Sequence, residues 1–162
     1  MTTSYAHQAR TVIRRAADEA RRAGSRTIEA EHVLLALADP EGLEAHEVLA
    51  AAGLDQEAIR AALRREVQRS LAAAGVVAPA GGPPHSSRTE GGRLRIGAST
   101  KAALHRAMLA AKPARQLTAG HMLIGVLGAD AGTVPRALGL AGVDPRDLAD
   151  RARRSVAGGE PS

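Results

Sequence analysis

His32-Val33-Leu34-Leu35 returns 89 residues later as His121-Met122-Leu123-Ile124. The same spacing carries Val48-Leu49 onto Ala137-Leu138, and Gly53-Leu54-Asp55 onto Gly142-Val143-Asp144. Upstream, Tyr5 pairs with Ile96 at a spacing of 91, so the second copy is slightly shorter before its second helix. A match that keeps register through a Gly-x-Asp junction is an internal duplication. Any fold for this chain must therefore contain one structural unit twice.

Each unit reads as four helices. In residues 5–23, Ala9, Val12, Ile13, Ala16, Ala17 and Ala20 recur at helical spacing. Gly24 ends that helix. A second runs from Glu29 to Leu37 with Val33, Leu34 and Leu37 inward, and a third from 43 to 52, stopped by Gly53. Asp55 caps a fourth, which carries Ile59, Leu63 and Val67. The pattern returns in "STKAALHRAMLAAK", with Ser99 as its expected cap, then in "TAGHMLIGVLG" and "TVPRALGLAG". Asp144-Pro145 opens the last helix, with acid as cap and proline at the first helical position. The expected organisation is repeat 1 over 1–74, a flexible Gly/Pro-rich linker over 75–95, repeat 2 over 96–157 and a disordered tail over 158–162.

Composition limits the chemistry. The chain has 162 residues, no cysteine, and Tyr5 as its one aromatic side chain. Disulfides, thiolate metal sites and cysteine nucleophiles are thereby excluded. The core must be built from Leu, Val, Ile and Ala. No apolar run reaches a membrane span and the N-terminus lacks a signal-peptide core, so the expected location is cytoplasmic. No His-Glu-x-x-His, Gly-x-Ser-x-Gly or Gly-x-x-x-x-Gly-Lys-Ser/Thr motif occurs. The reading is therefore no enzyme, no metal and no cofactor. The net charge of +5 is carried mostly by arginine. Arg14, Arg15, Arg21, Arg22 and Arg26 cluster, as do Arg60, Arg64, Arg65 and Arg69. They make a basic helical nucleic-acid-binding regulator the alternative reading, although stacking aromatics are absent.

The duplication separates two kinds of residue. His32 recurs as His121, and a feature kept in both halves is structural: each imidazole is expected to bond near the start of its helix. Glu31 recurs as Gly120, so that carboxylate is where the halves can differ in function.

The order of elements resembles the Clp N-terminal domain, a double Clp repeat found ahead of the ATPase modules of Clp unfoldases. The matching residues are Tyr5-Ala6, Glu29 to Leu37 and Ala52-Gly53-Leu54-Asp55 in the first copy. In the second they are Ile96-Gly97, Ala119 to Val126 and Ala141-Gly142-Val143-Asp144. The resemblance implies an all-α fold of two pseudo-symmetric four-helix Clp repeats, and a stand-alone recognition domain without a motor. Its implied function is non-enzymatic protein or peptide binding in Clp proteolysis, as adaptor, substrate-recognition or decoy protein. The implied partners are Clp ATPase subunits, degradation substrates, phosphoarginine proteins and Clp-targeting cyclic peptides. His32, His121, Gly53, Asp55, Gly142 and Asp144 are the repeat signature. Tyr5 and Ile96 stand where the family presents an apolar peptide-binding patch. Some members bind phosphoarginine through the Glu of the Glu-His pair and a Thr near the repeat start. Here Glu31 is kept, Ala6 and Gly97 replace the Thr, and Gly120 replaces the second Glu. A charge-assisted hydrogen bond is worth about 1.5–3 kcal/mol, so the second such site is expected to be absent and the first weakened.

Overall fold

The computed structural model describes residues 5–41, 43–76 and 92–158. Repeat 1 contains α1 (Tyr5–Arg22), β1 (Thr27–Ile28), α2 (Ala30–Leu37), α3 (Leu43–Ala51) and α4 (Gln56–Ala73). Repeat 2 contains β2 (Arg95–Ile96), α5 (Ala98–Ala111), α6 (Ala119–Leu127), α7 (Thr133–Leu140) and α8 (Pro145–Gly158). The all-α fold of two four-helix units is as expected. Most of the 75–95 linker and all of the tail beyond Gly158 lie outside the described residues.

The two middle helices are the centre of the molecule. All of α6 is buried, and so is all of α2 except Glu31. A helix apolar on every side must have neighbours on every side. α1 supplies Val12, Ala16 and Ala20 from one stripe, matching the periodicity of its sequence. Small side chains there let α1 lie close on α2, which its apolar residues cover. α5 does the same for α6 with Ala103, Ala107 and Ala111.

The helix ends repeat as faithfully as the helices. Gly53 and Gly142 sit at φ +74° and +75°. After each, the next N–H bonds back over the turn, Leu54 to Leu49 and Val143 to Leu138, both at 2.9 Å. This is the glycine-ended helix closure. Asp55 then accepts the Ala58 N–H at 2.7 Å, as its sequence position predicts.

The repeats do not stand apart. α4 packs on α7 and α8 on α3, so the outer helices of each unit reach across to the other. One hydrophobic cluster runs through both, from Val12 to Ala152. β1 and β2 add a short parallel ribbon, Thr27 beside Arg95 and Ile28 beside Ile96. Two residues are too few for an alternation to show in sequence, so neither strand was expected. The end of the expected linker is thereby structured: Leu94 packs on the core and Arg95 lies in β2. Glu66, 4% exposed on α4, is tied to α7 by Arg136 Nε at 2.7 Å.

Candidate functional site: the starts of the two central helices

α2 and α6 begin in the same way. The Glu29 N–H donates to His32 Nδ1 at 2.9 Å, and the Thr118 N–H donates to His121 Nδ1 at 3.2 Å. Each residue is the N-cap of its helix and each histidine is the third helical position. A ring nitrogen that accepts an N–H carries no proton, so both rings are neutral with the proton on Nε2. Burial lowers the His32 pKa below its usual value, against the opposing pull of Glu31, Glu29 and Glu19. The duplicated histidines thus close the first turn, the structural role their recurrence predicted.

One further donor of each first turn is met from the opposite repeat. The Ala30 N–H donates to Ser99 Oγ at 2.8 Å. The Ala119 N–H donates to Gln8 Oε1 at 3.3 Å. Ser99 and Gln8 stand at the same position of their repeats, 91 residues apart. Ser99 is therefore not the cap of α5, whose N-cap is Gly97. It sits one turn-position inside α5 with its hydroxyl aimed at α2. That hydroxyl also donates to the Glu29 carboxylate.

Glu29 lies against the backbone where α5 begins. A Cβ on Gly97 would run into the Glu29 carboxylate, so a larger residue there would have to push that side chain aside. Burial works to raise the Glu29 pKa, but hydrogen bonds from Ser99 and Thr27 and the His32 ring outweigh it and hold the carboxyl below its usual value. Glu29, Ser99, Gln8 and Glu44 were all missed as junction residues in the sequence. For Gln8 and Ser99 a signal existed, since the duplication aligns two polar side chains in otherwise apolar helix faces.

Glu31 and Gly120 part company here. Glu31 is half-buried at the second position of α2 and forms no ion pair with another described residue. At Gly120 the corresponding space is taken. A Cβ there would be 2.5 Å from Val156 Cγ2 and 3.1 Å from Glu44 Cγ. The Gly120 N–H donates to Glu44 Oε1 at 3.1 Å, which brings a carboxylate from α3 to the positive end of α6. Ile96 is half-buried on β2 beside Ile28, close to the start of α2. Tyr5 opens α1, but its side chain lies outside the described residues. Among the described residues no three His, Asp or Glu side chains converge as metal ligands, and no helix is long and apolar enough to cross a membrane.

A family model described as Clp repeat (R) N-terminal domain matches residues 4–112, more than half of the chain. Among solved structures, the N-terminal domain of the caseinolytic protease associated chaperone ClpD from Arabidopsis thaliana superposes with a TM-score of 0.64. It shares 19% sequence identity and the match covers 93% of each chain, which shows a common fold. No curated protein matches the chain.

Proposed function

The chain belongs to the Clp repeat (R) N-terminal domain family, and from that membership we propose that it is a non-enzymatic protein- or peptide-binding module of the Clp proteolysis system. Clp repeat domains are the protein-interaction modules of Clp chaperones. The observation that carries the reading is the family match, running through the first repeat and into α5. Its partners are Clp ATPase subunits or degradation substrates, which makes it an adaptor, or a decoy that withholds substrates from the motor.

Glu31 is the residue this reading singles out. It is the one acidic side chain in the first turn of α2, it is partly accessible, and among the described residues no guanidinium engages it. A phosphoarginine side chain would offer it a charge-assisted bond. With Ala6 in place of the family's threonine, that binding is weak. In repeat 2 Glu44 and Val156 fill the corresponding volume, which supports the absence of a second site.

The basic clusters speak for protein rather than nucleic acid. Arg15, Arg21, Arg22, Arg60 and Arg64 are each ion-paired with a carboxylate of the chain itself. Arginines so engaged are less available to a phosphate backbone.

Affinity capture of the tagged protein from its native cells at moderate salt, read by mass spectrometry, tests the proposal. Enrichment of Clp subunits or arginine-phosphorylated proteins supports it. Nuclease-sensitive material without either would overturn it.

A further inference from the structure

The first long helices of the two repeats carry their charges differently. On α1 each cation of the last turn has an acid of the chain beside it: Arg21 meets Asp18 at 3.0 Å, and Arg22 meets Glu19 at 2.8 Å. Glu19 also takes Arg60 at 3.0 Å. At the duplicated positions of α5, Asp18 becomes Leu109 and Glu19 becomes Ala110, while Arg21 becomes Lys112. No Asp or Glu occurs anywhere between Glu90 and Asp130. The cations of α5 therefore have no counter-charge on their own helix. Among the described residues, neither Lys101 nor Lys112 forms an ion pair.

α5 rests on α6 and α2, burying Thr100, Ala103, Ala107 and Ala111. Its opposite face is exposed. At helical spacing that face carries Lys101, His105, Met108 and Lys112 in one row, with Leu109 beside Met108. Met108 is 60% and Leu109 47% exposed. In repeat 1 the same two positions hold Ala17 and Asp18, so open apolar surface has taken the place of a small side chain and a solvated charge. Lys101 and Lys112 are the only lysines of the chain, and they bracket this apolar pair about 16 Å apart along the helix axis. An apolar centre with a charged rim is the layout of an interface, and methionine is enriched at such centres.

We propose that the outer face of α5 docks an acidic amphipathic helix of a partner protein, with the helix's apolar side chains over Met108 and Leu109 and a carboxylate at each of Lys101 and Lys112. The charge fixes the sign of the partner, because the face presents two unpaired ammonium groups and no carboxylate. The shape fixes its form, because the face is the ridge of a helix and such ridges pack into the grooves of another helix. A nucleic acid would meet the cations but set its charged backbone against Met108 and Leu109, with no aromatic ring to stack its bases. The apolar pair lies roughly three turns beyond Ile96, apart from the patch expected at the repeat start. The patch is small, so the contact is transient. The inference rests on the reading of the chain as a peptide-binding module and gives that reading a surface and a partner of stated charge.

The test is a titration of the full chain, followed by amide chemical shifts, with the helical probe acetyl-Ala-Glu-Ala-Gln-Ala-Leu-Ala-Gln-Leu-Leu-Ala-Gln-Glu-Ala-amide. Its Glu and Leu residues repeat the spacing of the lysines and the apolar pair. An analogue with Gln for both Glu keeps the shape and removes the charge. The acidic probe is expected to shift the amides of His105, Met108 and Lys112 and to bind at least about fivefold more tightly than the neutral one. Carbodiimide coupling, which joins a carboxylate to an amine with loss of water, is expected to link it to Lys101 and Lys112. Leu109→Asp, which restores the residue of repeat 1 at an exposed position, is expected to remove binding, and Lys112→Gln to remove the preference for the acidic probe. Equal binding of the two probes, shifts confined to other helices, binding intact in Leu109→Asp, or a stronger α5 response to phosphatidylglycerol vesicles or a single-stranded oligonucleotide would overturn the proposal. A chain that captures Clp partners but fails this titration loses the α5 surface alone, whereas failed capture with a successful titration removes the Clp reading and keeps the surface.

Discussion

Ser99, in the second repeat, accepts the N–H of Ala30 in the first at 2.8 Å, and so completes a helix to which it does not belong. Gln8 returns the bond to Ala119 at 3.3 Å. Both acceptors come from the first turn of an outer helix and both donors from the first residue of a central one. The two repeats are thus joined by side chains that do the work of helix caps.

Ser99→Ala removes the shorter of these bonds and a donor to Glu29. A lost cap costs about 1–2 kcal/mol, and the longer Gln8 bond should cost less when Gln8→Ala is made. Urea denaturation of both variants measures this. An unchanged midpoint for Ser99→Ala would show that water replaces the hydroxyl without loss.

Acid should loosen the protein in two stages. His32 is held below its ordinary value of 6.5 in the folded state, so the unfolded chain takes up its proton first. Its contribution is complete above 6.5 and is lost as pH falls toward the folded value. Glu29 and Glu66 are held below their ordinary 4.5, so their contributions are present above that pH and are lost as it falls further. Thermal melts between pH 7 and 4 should decline from the histidine step first. In His32→Asn, whose amide oxygen accepts the Glu29 N–H without titrating, that first decline should vanish.

Thr100 is fully buried with its hydroxyl unpartnered among the described residues, facing an apolar gap lined by Val33, Leu104 and Met122. An unmet buried hydroxyl costs free energy that a methyl of the same shape does not. Thr100→Val should therefore stabilise the protein by about 1 kcal/mol, read as a raised Tm. Destabilisation would mean that the hydroxyl has a partner in solution.

Arg115 occupies φ +53°, where the duplicated position in repeat 1 is Gly24 at +70°. A side chain in that region costs about 1–2 kcal/mol, offset by the greater freedom glycine has when unfolded. Arg115→Gly should gain about 0.5–1 kcal/mol in a denaturant titration, and a loss would show that the Arg115 side chain makes a compensating contact.

Cleavage between the repeats should leave them together. A specific protease site placed after Pro83 yields two fragments, and the shared core and the crossed α4–α7 and α8–α3 contacts predict that they co-elute on gel filtration. Separate elution would mean that the tether, not the interface, holds the repeats.

Much of this was legible in the sequence because it is local. Gly53 and Gly142 mark helix ends wherever the chain goes next, and the apolar stripe of α1 needs only its own residues. His32 and His121 could be assigned a structural role because each bonds to a residue three positions away. What escaped was contact between repeats. Ser99 looked like a local cap because Ser, Thr and Asp before an apolar run usually are, and nothing in its neighbourhood points to Ala30. Glu29 was passed over for Glu31, although Glu29 meets the other repeat. The pairing of Glu19 with Arg60 joins helices whose charges, read singly, look like solvated faces.

The reciprocal bonds of Ser99 and Gln8 have the form of an isologous dimer contact, each half offering the other the same thing. Fusion turns such an encounter into an intramolecular one at fixed effective concentration. It also frees the halves from mirroring each other. In a homodimer every substitution appears twice, on both sides of the axis. In a single chain Glu31 can persist while Gly120 fills with a neighbour's side chain, and Arg60 can hold Glu19 while alanines, Ala149 and Ala110, stand at both twin positions. Asymmetry of that kind is open only to a protein that has become its own partner.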